Sequence, residues 1–322
     1  MPYAELTARS CFSLLEGGSQ PDELLAAAAE AGCSHFALTD RDAIYGVVQA
    51  HKAAREHGVR LLVGAVLTMQ DAPAVSVRVE SLRGWSSLCR LLTSGRSTSA
   101  KGYSALPVHE LAERAEGLQV LLRHGWSAEA AAPLREAFGE RLGVAWSRSC
   151  LPNDRRRTAA AAELAAVLRA PVVATNDVLF HAPERQVLAD VLTCIRRRTT
   201  LEQAGRHLAP NGERSVLPEA VFRRRYGALD GAVDAGVVLA ERCAFSLDEL
   251  QYRYPREVVP EGRTPMSWLR ELTEEGLRWR YPEGVPASVR AQVEHELEVI
   301  EELDFPSYFL TVYDVVRFAR GE

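Results

Sequence analysis

The chain has 322 residues, of which 47% are hydrophobic and 25% are charged, values typical of a globular protein large enough for two domains. Its net charge of −5 argues against a dedicated nucleic-acid-binding module, because such a module needs an excess of Lys and Arg. Six cysteines form neither a Cys-x-x-Cys pair nor a Cys/His cluster, which predicts no zinc knuckle and no disulfide framework. We find no secretory leader and no apolar run of membrane-spanning length, so we expect a cytoplasmic protein.

Over the first two hundred residues, short apolar runs alternate with amphipathic stretches, a pattern typical of strands joined by crossover helices. The pattern predicts strands at 4–8, 35–40, 59–69, 74–80, 118–124, 142–147 and 171–177. It predicts helices at 24–31, 47–58, 82–95, 127–138 and 158–168. Six or seven such units are enough for a closed or nearly closed barrel.

The pattern changes after about residue 200. Helices and irregular segments rich in Arg continue to about residue 260 and include the Pro-bounded stretch 251–265, which indicates a connector. Three amphipathic helices are predicted at 267–284, 288–303 and 305–320. The last carries an aromatic stripe whose near-helical spacing predicts core packing rather than base stacking, formed by Phe305, Tyr308, Phe309, Tyr313 and Phe318.

Three blocks carry a family resemblance. Residues 3–64 are similar to the polymerase and histidinol phosphatase (PHP) domain that begins the alpha subunit of bacterial DNA polymerase III. Residues 209–220 and 241–284 look like the segment that joins this domain to the polymerase palm in error-prone members, and 304–320 is similar to the helix that opens the palm. The chain therefore resembles the amino-terminal part of a bacterial C-family DNA polymerase of the error-prone, translesion type.

The resemblance implies an α/β fold and three regions. Residues 1–205 are expected to form a PHP-type distorted (β/α)7 barrel. Residues 206–264 are expected to be a connector that completes the PHP region, and 265–322 the helical, truncated start of the polymerase palm.

Metal ligands in the family come from the carboxyl ends of several strands, because two or three divalent ions need converging nitrogen and oxygen donors. The matching positions are degenerate in this chain. His-x-His is matched by Thr7 and Arg9, Thr-Asp-His by 39–41, Gly-x-Glu by 64–66, and Asp-x-His by 177–179. The aligned ligand positions without a metal-binding side chain are Thr7, Arg9, Arg41, Val66 and Leu179, whereas Glu16 and Asp177 keep a carboxylate.

Two carboxylates do not make a catalytic metal cluster, so we expect residues 1–322 to hold no catalytic, cofactor or metal site. Arg9 and Arg41 instead place fixed positive charge near Asp40, Glu16 and Asp177. This predicts an ion-pair network in which guanidinium groups occupy the space of the cations.

Histidines and arginine runs offer other candidate sites. His124 ends a strand and His181 closely follows Asp177, which makes them the best candidates for a residual site, although a solvated or edge position is the favoured interpretation. The basic runs 155–157, 196–198 and 223–225 are interpreted as a solvated face, in preference to a contact with the DNA backbone.

The resemblance implies an error-prone, DNA-directed DNA polymerase of translesion synthesis and DNA repair, with Mg²⁺ as cofactor and primer–template DNA as substrate. In the family the Mg²⁺-binding aspartates follow the position of Glu322, so we expect residues 1–322 alone not to polymerise. Two alternatives stay open for the barrel. One is residual metal-dependent phosphoesterase or 3′–5′ exonuclease activity, and the other is a module that binds the sliding clamp or other mutagenesis-complex proteins.

Overall fold

A computed structural model describes residues 3–250 and 259–321. Part of the predicted Pro-bounded stretch, residues 251–258, lies outside the described residues. The chain divides into two compact units, Met1–Leu250 and Gln251–Glu322. The first unit therefore includes most of the segment that we predict to be a connector.

The first unit contains one seven-stranded sheet with helices around it. Its strands are β1 Tyr3–Ala8, β2 Cys33–Arg41, β3 Arg60–Leu67, β4 Val75–Val79, β5 Leu118–Leu122, β6 Leu142–Trp146 and β7 Val172–Ala174. Its helices are α1 Pro21–Glu30, α2 Val47–His57, α3 Leu82–Ser97, α4 Val108–Glu113, α5 Ala128–Phe138, α6 Asp154–Leu168, α7 Gln186–Arg197, α8 Leu201–Ala204, α9 Glu219–Tyr226 and α10 Ala232–Arg242.

Neighbouring strands in the sheet follow chain order from β1 to β7. All neighbours are parallel except that β4 runs antiparallel to both β3 and β5. The reason is the connection 68–74, which carries no helix and is shorter than the dozen or so residues that a parallel crossover needs. The sequence prediction has the same interruption, because it places no helix between the strands at 59–69 and 74–80.

The two edges of the sheet meet beyond β7. Ala8 of β1 forms a parallel bridge with Val178. The Val178 N–H donates to the Thr7 carbonyl, and the Val178 carbonyl accepts from the Arg9 N–H, both at 2.9 Å. The strand predicted at 171–177 ends early, at Ala174, because the next residues turn towards β1 and the Asn176 N–H donates to the Glu5 carboxylate at 2.8 Å. These contacts confirm the predicted nearly closed barrel.

Helix α10 contributes to the packing of the barrel itself. It contacts β1 and β7, and it shares a buried apolar cluster with the strands. That cluster contains Ala4, Leu6, Ala37, Leu62, Leu121, Val173, Leu239, Ala240 and Cys243.

The barrel also contains a fully buried arginine, Arg78 of β4, which donates through Nε to Gln119 Oε1 at 2.9 Å.

The second unit contains the helices α11 Pro265–Arg280, α12 Ala287–Glu302 and α13 Pro306–Ala319. Helix α11 begins with a cap in which Thr264 Oγ1 accepts from the Ser267 N–H at 3.1 Å. Three buried leucines of the unit form a small cluster, Leu269, Leu297 and Leu310, and partly buried apolar side chains pack against it. Of the helices within the described residues, none is both long enough and apolar enough to cross a bilayer.

The aromatic stripe of α13 does not lie in this cluster. The exposed fractions of Phe305, Tyr308, Phe309, Tyr313 and Phe318 range from 42% to 84%. The prediction that these rings pack in a core is therefore wrong for the present chain. The physical reason is size, because a unit with so small an apolar cluster cannot cover five additional rings.

Candidate functional site

The parallel strands of a barrel point their carboxyl ends to one face, where their following loops converge. Arg9 follows β1 directly, and Arg41 is the last residue of β2. Asp177 lies a few residues beyond β7, in the segment that closes the barrel. The structure thus brings the predicted residues from three strand ends to one mouth.

Arg9 is the centre of an ion-pair network at this mouth. Its side chain is only 4% exposed. One terminal guanidinium nitrogen donates to Glu16 Oε2 at 2.8 Å, and the other terminal nitrogen donates to Asp177 Oδ1 at 3.0 Å. A single buried cation therefore links the two carboxylates that survive at the ligand positions.

Glu16 is bound by two further arginines. Arg41 donates through Nε to Oε1 at 2.8 Å and through a terminal nitrogen to Oε2 at 3.1 Å. Arg196 of α7 donates to Oε1 at 2.9 Å. Burial would raise the pKa of Glu16, but the charges of Arg9, Arg41 and Arg196 lower it below its ordinary value.

Asp177 is held in the same way from the other side. Arg123 donates two parallel hydrogen bonds to its carboxylate, at 2.9 and 3.0 Å, and Arg214 donates to Oδ2. Burial favours the neutral acid, yet Arg123, Arg214 and Arg9 hold the pKa of Asp177 well below its ordinary value. Asp177 is therefore a carboxylate with three arginine partners.

These contacts define the arginine cluster, which consists of the guanidiniums of Arg9, Arg41, Arg123, Arg196 and Arg214 and the carboxylates of Glu16 and Asp177. Its five cations exceed its two anions by three charges. Burial, with like charges on Arg214 and Arg123, lowers the pKa of Arg9 to about 10 even though both carboxylates oppose this shift. The cluster is therefore positively charged at neutral pH.

The charge of Arg9 acts on Asp40, as predicted, but Asp40 forms no ion pair with the arginine cluster within the described residues. Its Oδ1 accepts from the Ser10 N–H and the Ser13 hydroxyl, both at 2.7 Å, and its Oδ2 accepts from the Ser10 hydroxyl at 2.8 Å. Burial raises the pKa of Asp40, and these hydrogen bonds oppose the rise. Asp40 instead orders the loop that follows β1.

The remaining ligand positions contribute backbone contacts. The Thr7 and Leu179 carbonyls accept from Val178 and Gly18 N–H groups, at 2.9 and 2.7 Å. Val66 is buried in β3, and its carbonyl accepts from the Asp42 N–H at 2.8 Å. Among residues 3–250 and 259–321, no three His, Cys, Asp or Glu side chains converge as metal ligands would. This donor set does not fit a di- or trinuclear metal centre.

Three members of the arginine cluster were not predicted as such. Arg123 directly follows β5, which is the same sequence signal that identifies Arg9 after β1. Arg196 belongs to the basic run 196–198, and Arg214 lies in a loop far along the chain. Only the folded chain places the last two beside Glu16 and Asp177.

The two candidate histidines lie in different surroundings. His181 places Nδ1 at 2.9 Å from the Ser19 hydroxyl. Burial and the charges of Arg157 and Arg156 lower the pKa of His124. His124 is exposed, which agrees with the favoured interpretation of a solvated position, and His181 is half-buried.

The basic runs differ from residue to residue. Arg155 and Arg156 are exposed, as a solvated face requires. Arg196 pairs with Glu16, and Arg225 is largely buried, pairs with Glu213 and donates to Asn176 Oδ1 at 3.3 Å. A solvated face is therefore the wrong description of Arg225, whereas Arg196 is exposed and also pairs with a carboxylate.

We expect the free energy of unfolding to fall in acid because the folded pKa values of Glu16 and Asp177 lie below their ordinary values of 4.5 and 3.8. A depressed folded pKa gives stability that is complete above the unfolded pKa and is lost as pH falls through the folded pKa. The loss should therefore begin below about pH 4.5. Urea unfolding between pH 7 and pH 3 measures it.

The matched comparison for this acid limb is the Glu16→Gln/Asp177→Asn double variant. The difference between the two proteins isolates these carboxylates from Glu5, whose pKa burial raises to about 7. The variant should lose less stability than the parent on acidification. Parallel acid limbs would show that the arginine cluster contributes nothing to the pH dependence.

With this geometry established, comparison with known proteins identifies the fold family. Residues 5–165 match the family model of the PHP domain. The chain belongs to the PHP family. After the PHP barrel, residues 267–322 match the family model described as the bacterial DNA polymerase III alpha NTPase domain.

Longer relatives carry the similarity along the whole chain. This chain is 43% identical over 327 residues to an error-prone DNA polymerase of Pseudomonas aeruginosa. It is 44% identical over 333 residues to an error-prone DNA polymerase of Aromatoleum aromaticum. Each alignment covers 99% of this chain but 31% of the relative. An amidohydrolase structure from Chromobacterium violaceum matches with a TM-score of 0.42 and 15% identity, covering 55% of this chain and 88% of that one. The sequence relatives confirm the predicted resemblance to error-prone DNA polymerases.

Proposed function

We propose that this chain is the amino-terminal region of an error-prone, DNA-directed DNA polymerase that acts in translesion synthesis and DNA repair. The support is the similarity to polymerases of that name along 99% of the chain, together with the second family match at 267–322. On this proposal the natural protein acts in the cytoplasm on primer–template DNA and uses Mg²⁺, with the sliding clamp and other mutagenesis-complex proteins as candidate partners.

The PHP barrel has a different role in this proposal, as a metal-free, noncatalytic and structural domain. The observation that carries it is the arginine cluster, in which every oxygen of Glu16 and Asp177 accepts from at least one guanidinium. A carboxylate saturated in this way has to lose strong charge-assisted hydrogen bonds before it can bind a metal. Arginines thus replace divalent cations as the positive charge between these carboxylates.

The ion pairs also join elements that are distant in sequence. Asp177 connects the segment after β7 to Arg9 after β1 and Arg123 after β5. Glu16 connects the loop after β1 to Arg41 of β2 and Arg196 of α7. A metal cluster at a barrel mouth would hold strand ends together in the same manner. The proposed role of the cluster is therefore to close and rigidify the mouth.

Metal analysis of the purified chain tests the structural role. After dialysis against Zn²⁺ or Mn²⁺ and removal of free ion, we expect far less than one bound metal per chain, because guanidiniums already bind the available carboxylate oxygens. The same preparation should release no nucleotides from the 3′ end of single-stranded DNA with either ion. Stoichiometric metal, or nuclease activity abolished by a chelator, would instead favour a residual phosphoesterase or exonuclease.

The polymerase part of the proposal has a separate test. Primer extension past a template lesion is measured with the natural gene product in its entire length and Mg²⁺. Extension past the lesion is the expected result. A full-length product that extends no primer would contradict the polymerase assignment and leave the result of the metal analysis unaffected.

A further inference from the structure

Helix α7 carries a stripe of exposed apolar side chains. The exposed fractions of Val187, Leu188, Val191 and Ile195 range from 38% to 69%. Val187, Val191 and Ile195 follow one another at intervals of four residues with Leu188 beside them, so the four side chains share one face of the helix. We call these four residues the α7 stripe. A surface helix normally turns such a face towards the core of its own protein.

The opposite face of α7 is the one that attaches the helix to the barrel. It carries Ala189, which is buried, and Arg196, which pairs with Glu16. Arg185 lies just before α7 and pairs with Glu23 of α1. The main packing neighbours of α7 are the segments that precede and follow it in the chain. A rotation that buried the α7 stripe would therefore break both ion pairs.

Charges of opposite sign lie at the two ends of the α7 stripe. Glu184 precedes Val191 by seven residues, and Arg198 follows it by seven. Seven residues are nearly two helical turns, about 10.5 Å along the axis, so both charges lie close to the line of the stripe. Both residues are exposed, and neither has an ion-pair partner within the described part of the chain. The surface is therefore acidic at one end, apolar in the middle and basic at the other end.

This order of groups is complementary to itself when a second copy of α7 lies antiparallel against the first. With Val191 opposite its own symmetry mate, Val187 lies opposite Ile195 and Glu184 lies opposite Arg198. A two-fold axis forms each of these pairs twice. The helix dipoles also attract each other in this arrangement. A parallel pair would instead place like charges together at both ends.

We propose that this chain forms a homodimer through antiparallel packing of two α7 stripes, with Val191 on the two-fold axis. The aliphatic side chains supply the contact, and the two Glu184–Arg198 pairs fix its direction. One helix from each chain is small beside the about 1,200 Å² at which stable interfaces begin, so the dimer is weak. The proposal rests on the surface of α7 and does not depend on the polymerase assignment.

Sedimentation velocity over a range of protein concentrations measures the association. We expect a monomer–dimer equilibrium with a Kd on the order of 10 μM, as in a small transient interface. A chain that stays monomeric up to about 100 μM, tenfold above that value, would overturn the proposal.

Val191→Glu should weaken the dimer at least about tenfold, because it places two like charges against each other at the axis. Val315→Glu of α13 is the matched control, since it makes the same change at another exposed valine on a helix. It should change the Kd less than about twofold. If Val315→Glu dissociates the dimer and Val191→Glu does not, the two copies do not meet at α7 and the proposal is refuted.

Charge reversal tests the antiparallel direction. Glu184→Arg and Arg198→Glu each oppose like charges twice per dimer, so each should weaken the dimer about tenfold. The double variant restores unlike pairs with exchanged signs and should return the Kd to within about threefold of the parent. Recovery requires a folded double variant, so it also shows that the single variants did not fail through misfolding. A folded double variant as weak as the single variants would refute the antiparallel pairing.

The natural gene product in its entire length tests whether a later segment of the same polypeptide covers the α7 stripe. Sedimentation should show the same dependence on concentration and the same loss in Val191→Glu. A full-length product that stays monomeric at concentrations where residues 1–322 dimerise would overturn the proposal in favour of an intramolecular cover.

Discussion

Asp177→Asn is expected to lower the free energy of unfolding by about 3 kcal/mol, because it removes the carboxylate but leaves its cations in place. Arg9, Arg123 and Arg214 all donate to this side chain, which is only 17% exposed. Without it, three neighbouring guanidiniums repel one another in a region of low dielectric. The estimate lies at the lower end for a buried ion pair, since Arg123 and Arg214 keep some contact with solvent.

Asparagine isolates the charge from other effects of the substitution. Asp177 has a left-handed backbone with a φ of 51°, a conformation that asparagine also tolerates, so no backbone strain is added. The matched control is Asp230→Asn at an exposed position, where we expect a change within about 0.5 kcal/mol. Urea unfolding of both variants at pH 7 measures the difference. Equal free energies of unfolding in the two variants would mean that the folded chain does not need Asp177 to hold the three arginines together.

Those arginines also show what the sequence could and could not predict. Strand periodicity predicts the barrel, and motif positions place Arg9, Arg41 and the two carboxylates at its mouth. Arg196 and Arg214 escape prediction because α7 and a distant loop reach the mouth through tertiary packing, which has no local sequence signal. Asp40 differs for a related reason, since nearby serine hydroxyls satisfy its carboxylate before an arginine can.

Two features of the fold lie beyond what local sequence patterns predict, for a common physical reason. The sequence correctly predicts that α13 is an amphipathic helix, but helical periodicity does not say what covers an apolar face. The same limit applies to β4, whose alternation predicts a strand and not its direction. Direction is decided by the length of the connection 68–74. Local patterns therefore predict the elements better than their partners.

Gly17→Ala is expected to destabilise the chain by about 2–3 kcal/mol, as overpacking of a well-packed site does. A Cβ at Gly17 would lie 1.9 Å from the Ser10 carbonyl oxygen and 3.0 Å from that of Arg9. Both obstacles are backbone atoms of the segment after β1, so the loop itself has to move. Because Glu16 directly precedes this glycine, the movement should also disturb its bonds to Arg9 and Arg41.

Gly18→Ala provides the matched control for this loop. Its added Cβ would meet its nearest neighbours at 3.6 Å, an ordinary van der Waals distance, and its backbone needs no left-handed conformation. We expect a change within about 0.5 kcal/mol. Adding Glu16→Gln to each glycine variant then tests whether the loop acts through the arginine cluster. If Gly17 positions Glu16, the Glu16→Gln change costs less in the Gly17→Ala background than in the Gly18→Ala background, because the ion pairs are already weakened. Equal costs in both backgrounds would mean that the clash at Gly17 is absorbed without displacing Glu16, and that the cluster tolerates movement of its own loop.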